Sequence, residues 1–116
     1  MPPKAAPSAD KKLKVLTSVV KRMLKEVAAY EKEVVDNEAR VQKMRDDGKD
    51  EYDIRKQEAV LAESHMMVPD SKGRLETAVQ ALRSCIEEVN DEGDADAATL
   101  TEASAILDEA LLKTGA

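Results

Sequence analysis

The sequence predicts an all-α fold: an elongated antiparallel three-helix bundle, up-down-up and coiled-coil-like, with its second helix kinked at Pro69. Three observations predict it. Apolar residues recur at alternating steps of three and four over long stretches, the spacing of a helix seam. Helix breakers are scarce, with four glycines and four prolines, and Pro2, Pro3 and Pro7 fall within the first seven residues. Charged residues reach 36% while aromatics are limited to two tyrosines, a balance suited to long helices with solvated faces around an aliphatic core. A chain of 116 residues has room for one domain.

Residues 1–9 (MPPKAAPSA) are rich in Pro and Ala and predict a disordered tail. Residues 10–114 are expected to form the single bundle domain. Ser8 or Asp10 is a suitable N-cap for its first helix. From Leu13 a seam runs through Leu16, Val20, Met23, Val27, Tyr30, Val34, Asn37, Val41 and Met44. Only Asn37 is polar, and a polar seam residue fixes register in other coiled coils. This predicts a helix over about 10–46, roughly 55 Å long at ~1.5 Å per residue. Gly48 is its natural stop and Asp50 a natural cap for the next helix.

Ile54, Leu61, Val68, Leu75, Leu82 and Val89 are spaced by seven with Pro69 in their midst. Two unrelated helices would lose phase across the proline. The phase is kept, so one helix over about 50–90 is predicted, bent at Pro69, whose ring clashes with the His65 carbonyl and leaves it unbonded. An alternative ends the helix near Met67 and restarts it at a cap on Asp70 or Ser71. After the turn at Asn90–Asp94, a third helix over about 95–113 has Leu100, Ala103, Leu107 and Ala110 or Leu111 as its stripe. Short connections between long helices imply antiparallel neighbours. Val19, Leu24, Val79 and Ile86 widen the seams to the face that a three-helix core needs.

Little in the chain suits catalysis. His65 is the one histidine and Cys85 the one cysteine, so the usual zinc ligands cannot be assembled; Cys85 falls on an inner face as a small buried hydrophobe. Asp94-Ala95-Asp96 starts like a calcium loop, but Ala98 and Thr99 stand where a fifth-position ligand and a glycine are required. There is no phosphate-cradling glycine motif, and an acidic chain without stacking aromatics is unsuited to nucleic acid. No catalytic residue, cofactor or metal is expected. No uncharged run is long enough for a membrane span or a signal peptide. A lone cysteine fits a reducing compartment, so a cytoplasmic protein is expected.

What remains is surface. Residues 11–45 hold ten Lys/Arg against five Asp/Glu, a net +5, and residues 46–116 hold seven against eighteen, a net −11. With Leu13 at heptad position a, Lys11, Lys14, Lys21, Arg22, Lys25, Lys32 and Lys43 take outward positions, where only Asp36 opposes them. Glu26, Glu31, Glu33 and Glu38 sit on the flanks. Such a basic stripe would steer an acidic partner, or would be a solvated helix face. Met66 projects outward beside Pro69 as an adaptable apolar contact, or is partly shielded by its neighbours. Val15 and Val35 are also apolar at outward positions.

The same residues carry a family likeness. Val19-Val20-Lys21-Arg22-Met23-Leu24-Lys25-Glu26 with Tyr30-Glu31-Lys32-Glu33 resembles the first helix of the tubulin-binding cofactor A family. Lys43-Met44-Arg45, leading to Tyr52-Asp53-Ile54 and Lys56-Gln57, resembles the turn into its second helix. Glu63-Ser64-His65-Met66-Met67-Val68-Pro69-Asp70, followed by Arg74-Leu75-Glu76, is the most specific string. The likeness covers about residues 13–90 and is weak in the third helix. It implies a monomeric, non-enzymatic, cytoskeleton-associated chaperone that captures β-tubulin folding intermediates after chaperonin release and passes them to other tubulin-folding cofactors. Tubulin is acidic, which suits the basic stripe. The partner-binding residues this implies are Lys21, Arg22, Lys25, Lys32 and Lys43 for steering, with Tyr30, Tyr52, Met66 and Pro69 for packing, although Tyr30 also fits the core. The rival readings are a homo-oligomeric coiled-coil adaptor and a helical scaffold subunit.

Overall fold

A computed structural model describes residues 8–93 and 95–115. Most of the expected tail, residues 1–7, lies outside the described residues; its last two, Ser8 and Ala9, belong to the start of the first helix. Three helices follow in order: α1 (Ala9–Asp46), α2 (Glu51–Glu92) and α3 (Ala97–Thr114). No strand occurs among the described residues.

The ends of these helices follow local chemistry. Ser8 Oγ accepts from the Lys11 amide at 3.2 Å, so Ser8, rather than Asp10, caps α1. At its other end the Gly48 amide donates to the Arg45 carbonyl at 3.1 Å and the Lys49 amide to the Met44 carbonyl at 2.9 Å. Those two bonds form a Schellman motif, which needs a left-handed residue. Gly48 supplies it with φ of 66°. Asp96 caps α3, its carboxylate accepting from the Thr99 amide at 3.2 Å and from the Thr99 hydroxyl at 3.3 Å.

α2 is one helix with Pro69 inside it; the alternative of two helices separated near Met67 does not occur. Pro69 is exposed, so its ring displaces no core residue. Its missing N–H leaves the His65 carbonyl without the usual helical donor.

The helices contribute to two compact units. The first comprises the described residues up to Leu24 and from Arg74 onward, and takes in segments of all three helices. Its core is Leu13 and Val20 of α1, Leu75, Ala78, Val79, Leu82, Cys85 and Val89 of α2, and Ala103 and Ala110 of α3. The expected α3 stripe faces inward, unequally: Ala103 and Ala110 are fully buried, while Leu100, Leu107 and Leu111 are half-buried. Small side chains allow a backbone to approach closely, so the alanines rather than the leucines mark the line of contact. Thr17 is buried with its hydroxyl donating to the Leu13 carbonyl at 2.7 Å, which satisfies the polar atom. Lys12 pairs with Glu88 at 3.4 Å, Lys21 with Glu102, and Asp10 accepts from the Asp96 amide at 3.2 Å. This order of pairing is compatible with helices alternating in direction.

The second unit, Lys25–Gly73, is an αα-hairpin of α1 and α2. Its buried residues are Val27, Val41, Ile54, Ser64 and Ser71. Tyr30, Val34, Met44, Leu61, Met67 and Val68 are only half-buried. Asn37, the polar seam residue, accepts from Gln57 Nε2 at 3.3 Å and from Arg40 at 3.4 Å. A shift of the hairpin by one turn would forfeit the bond to Gln57. Ser64 and Ser71 satisfy their hydroxyls on the Leu61 and Val68 carbonyls at 2.7 and 2.9 Å.

Candidate partner-binding surface

Among the described residues no group of three or more His, Cys, Asp or Glu is placed to hold a metal ion. His65 is exposed and faces Glu38 at 3.4 Å. Cys85 is buried; burial pushes its thiol pKa up, with nearby Lys12 opposing and Glu88 reinforcing the shift. Burial of this kind is the setting of a structural cysteine. No helix is long and apolar enough to cross a membrane among the described residues.

The cations of α1 divide between the two units. In the first unit, Lys14 pairs with Asp10 at 3.4 Å and Lys21 with Glu102. Arg22 is exposed, and no ion pair engages it among the described residues. In the second unit, Lys32 pairs with Asp36 at 3.4 Å and Lys43 with Asp47 at 3.0 Å; Lys25 is exposed without such a partner among the described residues. The outward face is therefore more neutralised than a projection of α1 alone indicates. Asp36 is not the sole opposing acid, because Asp47 lies past the helix end and Glu102 comes from α3. Arg22 and Lys25 have no ion-pair partner among the described residues.

The predicted packing residues all lie in the second unit. Tyr30 is half-buried, as a seam residue would be. Tyr52 is 66% exposed and lies under the Lys56 ammonium, 5.2 Å from the ring centroid, which orients the ring by a cation–π contact. Met66 is 70% exposed, and Pro69 is exposed as well. Val60, not foreseen from the sequence, is 47% exposed. Tyr52, Val60 and Met66 are three of the six exposed large hydrophobic residues among the described residues; a spacing of fourteen puts Tyr52 and Met66 on one column of α2, while Val60 lies on its flank. Exposed apolar side chains gathered on one helix face mark an interaction surface more than scattered ones do. The signal for Val60 was its position on the seam flank, whose exposure depends on what packs across it.

The family model described as tubulin binding cofactor A matches residues 8–107. The chain is 40% identical over 103 residues to the tubulin-specific chaperone A of Homo sapiens, covering 89% of this chain and 94% of that one. It is 47% identical over 79 residues to the tubulin-folding cofactor A of Arabidopsis thaliana, covering 68% and 70%. The crystal structure of the Arabidopsis thaliana tubulin folding cofactor A superposes with a TM-score of 0.80 at 38% identity, covering 88% of this chain and 94% of that one.

Proposed function

The chain belongs to the tubulin binding cofactor A family, and from that premise we propose that it captures β-tubulin folding intermediates released by the chaperonin. It holds them as a monomer in the cytoplasm, without catalysis, for handover to later folding cofactors. The observation that carries this reading is a family match spanning nearly all the described residues. Two surface features support it. Tyr52, Met66 and Pro69 present apolar surface on α2, as a holder of incompletely folded chains requires, and Tyr30 is half-buried on the α1 seam. Lys21, Arg22, Lys25, Lys32 and Lys43 give α1 an outward cationic character that favours encounter with an acidic partner.

The test is capture of freshly folding β-tubulin by the immobilised chain, with folding α-tubulin and the native heterodimer as controls. Selective retention of β-tubulin is expected; retention of α-tubulin alone, or of neither, sinks the reading. Steering is tested with Arg22→Glu/Lys25→Glu. Because these two cations lack ionic partners among the described residues, the variant should keep its helicity, associate about tenfold more slowly at low salt and lose most of its salt dependence.

A further inference from the structure

The second unit carries a groove between α1 and α2 lined by Glu33, Asn37, Val60, Glu63, Ser64 and Met67. Its polar floor is already satisfied. Asn37 accepts from Gln57 and Arg40, and Ser64 donates to the Leu61 carbonyl. Its apolar part is open, since Val60 is 47% exposed and Met67 half-buried. The two rim carboxylates differ from the hairpin acids that are held in pairs, and unlike Glu26, Asp50 and Asp53, which also lack an ion pair among the described residues, they border this groove. Asp36, Glu38, Asp47, Glu51 and Glu58 each face a basic side chain. Glu33 and Glu63 are exposed and have no ion-pair or hydrogen-bond partner among the described residues.

The two flanks of the hairpin differ in the same way. With Leu13 and Ile54 at heptad position a, Arg45–Glu58 and Glu38–His65 join e positions across one flank. Glu33, Val60 and Met67 occupy g positions and leave the other flank open. Two helices side by side offer a third helix a ready groove, and an occupant there would meet acceptors at the rim and aliphatic surface beside them.

We propose that this groove seats a basic amphipathic helical segment of the captured polypeptide, a Lys or Arg meeting Glu33 and Glu63 while aliphatic side chains pack on Val60 and Met67. The mode is helix-in-groove recognition, read as apolar anchors three and four residues apart, with the carboxylates selecting a cation among them. The inference rests on the capture reading above. It is separate from steering by the α1 cations, because it concerns the opposite charge and a short-range contact. An acidic protein still contains local segments of this kind, and they are exposed when folding is incomplete.

The experiment uses the full chain and freshly folding β-tubulin. Glu33→Lys/Glu63→Lys is compared with Glu33→Gln/Glu63→Gln and the parent, with helicity measured for each. Both side chains are exposed and unpaired, so unaltered helicity is expected. The lysine variant should lose at least about tenfold in affinity, as like charges are brought together, and the glutamine variant a smaller amount. A photo-crosslinker at position 60 should label a β-tubulin peptide with Lys or Arg spaced three or four residues from aliphatic side chains. If the parent captures β-tubulin and the lysine variant does so equally well, the inference is overturned and the capture reading stands. An acidic crosslinked peptide overturns it as well. A parent that captures nothing removes the capture reading and this inference with it.

Discussion

The two units use the same kind of sequence differently. Up to Leu24 and from Arg74 onward, three helices enclose a core in which Leu13, Val20, Leu75, Val79, Leu82, Cys85 and Val89 are all fully buried. Between Lys25 and Gly73, two helices carry an equally regular seam, yet only Val27 and Ser71 reach that degree of burial. The heptads of α1 and α2 run unbroken through both units, so the seam does not set the difference. Three helices remove each seam from water on two sides, whereas a hairpin covers it on one. The first unit is thus built to be stable and the second to have surface left over, which is where Tyr52, Val60 and Met66 stand exposed.

The largest effect that could break this comparison is a leucine deletion made in each unit. Leu82→Ala removes a fully buried side chain and should cost about 3–4 kcal/mol through lost burial and the cavity left behind. Leu61→Ala removes the same atoms from a half-buried site and should cost about 1 kcal/mol. Urea unfolding of the two variants measures both. Equal costs would mean that the hairpin is as tightly packed as the three-helix unit. Amide hydrogen exchange should agree, with residues 25–73 exchanging before 74–90.

A smaller effect of opposite sign is expected at Pro69. A proline inside a helix is less favourable than alanine by about 3 kcal/mol, and here the ring is exposed and fills no core space. Pro69→Ala restores a donor for the His65 carbonyl and should stabilise the chain by about 1–2 kcal/mol, visible as a raised midpoint of thermal unfolding. If Pro69 belongs to the capture surface, the same variant should bind β-tubulin more weakly despite its greater stability. A gain in both would assign Pro69 no part in binding.

The seams of α1 and α2 were legible in the sequence because an apolar period of three and four, kept over many turns, falls on one face only in a helix. The phase kept across Pro69 distinguished one helix from two. Gly48 was legible because a left-handed stop favours glycine. Other features depend on what lies across from a residue, which one helix cannot reveal. The burial of Ala103 and Ala110 in preference to Leu100 and Leu107 reflects close approach, not side-chain size. The pairing of Lys21 with Glu102 joins residues far apart in sequence. Nothing in the periodicity singles out Val60 or Glu63, since their openness follows from the shallow packing of the hairpin. The likeness carried by Glu63–Asp70 marks a stretch of α2 without saying which of its side chains face outward.

The smallest effect concerns Glu102, and it asks whether the first unit shares in capture. Lys21 and Glu102 form an exposed pair, with about half of each side chain accessible, so Glu102→Gln should change stability by less than about 1 kcal/mol. Removing the carboxylate leaves the Lys21 ammonium uncompensated and makes the α1 face more positive. If Lys21 helps to steer an acidic partner, association with β-tubulin should quicken by about twofold at low salt, and the gain should vanish at high salt, where the Debye length shrinks to about 3 Å. Stopped-flow association at two salt concentrations measures this. An unchanged rate, alongside a slowed Arg22→Glu/Lys25→Glu variant, would place Lys21 outside the steering surface. That outcome would shift the weight of steering to Arg22 and to Lys25 in the hairpin, the unit that also carries the exposed apolar strip.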